Sequence, residues 1–74
     1  MFENKSQNEL VQILASGASF TFSAGNKLQN ELVQLAAAAV VGGGILTVKG
    51  LKPKLQNELV QLSAAGKGHI VFTE

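Results

Sequence analysis

Seventy-four residues with no cysteine and one histidine, His69, exclude a disulfide framework and a zinc cluster. Six lysines face five glutamates for a net charge of +1, and there is no arginine. The chain therefore has no general pull on nucleic acid or an anionic membrane, and it lacks the planar fork suited to phosphates and base edges.

A chain this short buries only about 60–65% of the surface that its unfolded form exposes. Tight packing or self-association must supply the rest of its stability. The opening Met1-Phe2-Glu3-Asn4-Lys5 has no basic stretch followed by an apolar run, so no secretory signal is expected. The longest uncharged stretch, Leu32 to Val48, is 17 residues and contains Gln34 and a glycine triplet. It reads as a helix end, a turn and a strand rather than a membrane span. The cytoplasm is the expected compartment.

In chain order, the first predicted element is a helix. Lys5 to Ile13 reads KSQNELVQI, with Ser6 and Glu9 in a capping-box pattern. Leu14-Ala15-Ser16-Gly17 closes it, because glycine takes the left-handed cap conformation without steric cost. Ser19-Phe20-Thr21-Phe22-Ser23 then alternates polar and apolar residues, the period of a strand with one buried face. Lys27 to Leu35 reads KLQNELVQL, and Leu28, Leu32, Leu35, Ala36 and Ala39 fall on one helical stripe. Asn30, Glu31 and Gln34 lie mainly off that stripe and are expected to meet water. This helix is expected to continue through Ala36 to Val41 and stop at Gly42, ahead of a second strand, Ile45 to Lys49. Lys54 to Leu62 reads KLQNELVQL again, without a change. Pro53 suits its first turn, Gly66 its stop, and the strand His69 to Thr73 follows.

The chain is thus a single domain of three helix-then-strand units, at about residues 4–25, 26–50 and 51–74. Recent duplication and deliberate design both produce such identity between units.

A helix joining two strands gives a parallel pair with a right-handed connection. The fold class is α/β, with a mostly parallel three-stranded sheet. Strand order 2-1-3 would cover both faces and require continuous apolar strands. Ser19, Thr21 and Ser23 are polar, and identical helices want equivalent surroundings. Order 1-2-3 is therefore predicted, with all helices on one face in a short solenoid-like stack. The face carrying Thr21, Ile45, Thr47, His69 and Val71 is then bare, and both edge strands are unpaired. Self-association through that face or an edge is expected, with a homodimer as the simplest closed form.

Other patterns carry less. A phosphate loop follows a strand and opens a helix, whereas Gly42-Gly43-Gly44 does the reverse and reads as a turn. Lys27, Lys49, Lys52 and Lys54 fall beyond the carboxyl ends of the strands, where open parallel sheets bind ligands, and Lys5 sits near the matching end of the first helix. They form a candidate anion rim, weighed against a plain solvated one. His69 has no acidic or nucleophilic partner at short spacing, so an exposed sheet histidine outweighs an acid or base. Glu9, Glu31 and Glu58 recur once per unit and suit the helix dipole better than chelation of a cation. The asparagine and glutamine rows are polar but nearly uncharged; contacts between helix faces are weighed against plain solvated surface, and solvated surface is the stronger expectation.

The helix–strand period resembles the leucine-rich-repeat class in outline. The strands Ile45-Leu46-Thr47-Val48-Lys49 and His69-Ile70-Val71-Phe72-Thr73 lack that class's leucine–asparagine signature. The likeness is one of architecture and carries over no functional residue.

No nucleophile–base pair or cofactor motif is visible. The expected role is a non-enzymatic structural or protein-interaction module that self-associates through its sheet, with no cofactor, metal or membrane partner. Its rival is a small domain that binds an anion or nucleic acid at the lysine rim.

Overall fold

The computed structural model describes residues 6–23, 27–50 and 55–73. Helices and strands alternate: α1 (Gln7–Ala15), β1 (Phe20–Ser23), α2 (Gln29–Gly42), β2 (Leu46–Lys49), α3 (Gln56–Gly66) and β3 (Ile70–Phe72). The strands form one parallel sheet in the order β1-β2-β3, as the polar side of the first strand predicts. Phe20 aligns with Leu46 and Ile70, and Phe22 with Val48 and Phe72. The helices pack in sequence, α1 on α2 and α2 on α3.

The core lies between the helices and one side of the sheet. Leu10 and Leu14 come from α1, Leu32, Leu35, Ala38 and Ala39 from α2, Leu62 from α3, and Phe22, Leu46 and Val48 from the strands. No polar or charged residue is buried among the described residues. Each fully buried leucine contributes about 1.5–3 kcal/mol, more than the roughly 1 kcal/mol of a helix cap, so packing decides the fold.

The caps show where the units differ. Ser6 Oγ accepts from the Glu9 amide at 3.2 Å, and Glu9 Oε1 accepts from the Ser6 amide at 2.9 Å, a complete capping box. At Leu28 and Leu55 half of that box is present. Glu31 and Glu58 still accept from the cap amides, at 3.0 and 2.9 Å, but a leucine side chain has no oxygen to return. The expected stripe places Leu28 in the core, whereas it is 63% exposed. As an N-cap it is extended, with ψ 158°, and its side chain leaves the helical register.

Gly17 closes α1 in the left-handed conformation as expected, whereas the other two helix stops shift by one residue. α1 gives way at Ser16, with Gly17 following at φ +106°. Gly42 lies inside α2, and Gly43 takes the left-handed cap at φ +82°. Gly66 lies inside α3, and Lys67 takes the cap at φ +47°. Gly42 and Gly66 serve close approach instead. A Cβ on Gly42 would run into the Leu14 carbonyl oxygen and the Gly17 amide, and one on Gly66 into the Ile70 side chain.

Candidate interaction surface

Strand alternation puts Thr21, Thr47 and Val71 in one row on the sheet side away from the core. Ile45 and His69 occupy the preceding row, beside Ser19. The structure thus places all five residues of the candidate self-association face on one surface. Thr21, Ile45 and Val71 are exposed there, while Thr47 and His69 are half-buried.

Two side chains fasten the strand starts. Ser19 Oγ accepts from the Ile45 amide at 2.8 Å, tying the first unit to the second. His69 Nδ1 lies 2.8 Å from the Gly44 carbonyl oxygen. A carbonyl only accepts, so Nδ1 carries the proton and donates. The His69 amide donates to the Gly66 carbonyl at 2.7 Å, and its own carbonyl accepts from the Leu46 amide at 2.8 Å. His69 is therefore half-buried and bonded to the second unit, not the free exposed histidine that its position in the sequence suggests.

Of the candidate lysine rim, Lys27 and Lys49 are among the described residues. Lys27 is half-buried, and its Nζ donates to Gln7 Oε1 at 2.7 Å. Lys49 is exposed at the end of β2. Lys5, Lys52, Pro53 and Lys54 lie outside the described residues. The half-buried Lys27 is occupied in joining the first unit to the second.

The glutamines take the less expected of their two readings, contact between helix faces. Gln7 Nε2 donates to the Glu31 carbonyl and to Gln34 Oε1, and Gln29 Nε2 donates to the Glu58 carbonyl and to Gln61 Oε1. These residues join neighbouring helices, while Gln34 stays exposed as expected. Gln29 Oε1 is buried without a hydrogen-bond partner among the described residues. The matching Gln7 Oε1 is the atom that Lys27 occupies. A polar residue recurring at the same helical position in each unit was the available signal, since side-by-side stacking brings such positions together.

Glu9, Glu31 and Glu58 each bond the amide of their own helix cap. Among the described residues, no three acidic, histidine or cysteine side chains gather as metal ligands, and no helix is long and apolar enough to cross a membrane. Compared with known family models, curated proteins and solved structures, the chain matches none.

Proposed function

We propose that this protein is a non-enzymatic structural module whose partner is another copy of itself, engaged through the open sheet. One observation carries the reading: the core occupies one side of a parallel sheet, while Ile45 and Val71 stay exposed on the other. Parallel sheets are normally covered on both faces. Among the described residues no further strand pairs with the outer edges of β1 and β3, which adds a second invitation to pair.

The bare face suits self-contact. Thr21, Ile45, Thr47, His69 and Val71 include no carboxylate and no lysine. Lys49, two residues beyond Thr47 on the same side of β2, lies at the strand's end, so two such faces oppose like charges only where those ends are brought together. A cysteine-free chain suits the reducing cytoplasm as its setting.

Sedimentation velocity from low to high micromolar concentration tests this. The sedimenting mass should rise with concentration. A single monomeric species at high micromolar concentration overturns the reading. Thr47→Lys separates two routes, since it should weaken assembly through the face and leave assembly through an edge intact.

A further inference from the structure

The units are unequally covered, and the inequality has a direction. Val11 and Val33 pack against the core, whereas the matching Val60 of α3 is 56% exposed. Leu10 and Leu32 are buried, and the matching Leu59 is half-buried. On the opposite flank, Leu35 and Leu62 are fully buried, and the matching Ile13 of α1 is half-buried. Along one row of the sheet Phe22 is 2% exposed, Val48 1% and Phe72 37%.

Hydrogen bonding runs the same way. Gln7 reaches forward to Gln34, and Gln29 reaches forward to Gln61. Gln56 holds the donor position in α3, and Gln12 holds the acceptor position in α1. Both are exposed, and among the described residues neither side chain makes a hydrogen bond.

Chain order explains the pattern. In a right-handed crossover, a helix lies over the strand before it and the strand after it. β1 is flanked in sequence by α1 and α2, and β2 by α2 and α3, but β3 has α3 before it and no described helix after it. Among the described residues, α1 lies beyond the edge of the sheet and β3 is followed by no helix that would cover it as α2 covers β1.

We infer that a second copy of this chain docks its α1–β1 end onto the α3–β3 end of the first, continuing the stack. The inference rests on the self-association reading and gives it a geometry. Gln56 donates to the Glu9 carbonyl and to Gln12 of the next copy, as Gln29 does within the chain. Val60 meets Ile13 of the next copy. β3 pairs in parallel with the next β1, aligning Ile70 with Phe20 and Phe72 with Phe22. The docking face of α3 repeats the residues by which α1 and α2 already receive their neighbours, so the junction continues an interface that the chain makes internally. Two different surfaces meet, so the contact does not close on itself and assembly grows beyond a dimer.

End-blocked variants test this. Val60→Glu blocks the α3–β3 end at an exposed position. Ile13→Glu blocks the α1–β1 end, and Gln12→Lys does so at an exposed position should Ile13→Glu fail to fold. Circular dichroism checks that each variant is folded. Each variant alone should sediment as a monomer where the unaltered chain forms larger species. An equimolar mixture of opposite-end variants should give a dimer and nothing larger, because one intact end of each kind remains. If the mixture stays monomeric, or the single variants assemble like the unaltered chain, the end-to-end geometry is overturned. Loss of assembly in Thr47→Lys at the same time leaves face-to-face self-association standing. An unaltered chain that is monomeric throughout overturns both.

Discussion

The Gln7 side-chain amide donates to Gln34 Oε1 at 2.8 Å, and Gln29 donates to Gln61 Oε1 at the same distance. Each donor also reaches a backbone carbonyl at 3.0 Å, of Glu31 in one case and Glu58 in the other. One residue in the repeat thus forms the same pair of bonds at two successive junctions.

The first prediction contrasts two glutamines of α1. Gln7→Ala removes both bonds to α2 and leaves the half-buried Lys27 without its acceptor, so it should destabilise by about 1–2 kcal/mol. Gln12→Ala at an exposed position should change the stability of the dilute monomer by no more than about 0.5 kcal/mol. Urea unfolding at low concentration checks both, read as midpoint shifts with unchanged slope.

The incomplete caps predict a gain. Leu28 is exposed and offers no side-chain oxygen, while Glu31 already accepts from its amide. Leu28→Ser would rebuild the box seen at Ser6 and should stabilise by about 0.5–1 kcal/mol, with Leu55→Ser behaving alike. Ser6→Ala should cost about 1 kcal/mol. Thermal unfolding of the three variants provides the comparison, and no gain in Leu28→Ser would contradict the cap geometry.

Adjacent glycines in and after α2 should respond for different reasons. Helix propensity alone would make Gly42→Ala stabilising by about 1 kcal/mol. The new Cβ instead meets the Leu14 carbonyl and the Gly17 amide, backbone atoms that cannot swing aside. A loss of about 2 kcal/mol or more is expected. Gly43→Ala has open space around it but sits at φ +82°, so its cost is backbone strain of roughly 1–2 kcal/mol. Equal stability of the two variants by chemical denaturation would argue against the packing of α1 against the end of α2.

The sequence carried the architecture because its signals are local. Helical spacing in KLQNELVQL and alternation in Ser19 to Ser23 each need a few residues, and strand order followed from the polar side of the first strand. The misses depend on contacts between elements or on cap geometry, which the periodicity of a single element does not carry. Gly42 and Gly66 were legible as glycines near helix ends, but their reasons are Leu14 of the preceding unit and Ile70 beyond the turn. Leu28 matches the stripe in spacing, yet the extended cap turns it out of the helix. Gln7 on α1 and Lys27 just ahead of α2 look solvated on their own and become connectors once two helices lie side by side. On the candidate face, the five residues were legible from alternation, whereas the bond from His69 to Gly44 needed the loop's position.

Amide exchange along β3 as a function of protein concentration tests the continued stack most directly. The His69 carbonyl accepts from Leu46 and the Thr73 amide donates to Val48, so the alternate residues Ile70 and Phe72 turn their amides to the free edge. Exchange at Ile70 and Phe72 should slow as the sedimenting mass rises, because the next β1 supplies acceptors. Growth in mass with unchanged exchange at these two amides would contradict the account.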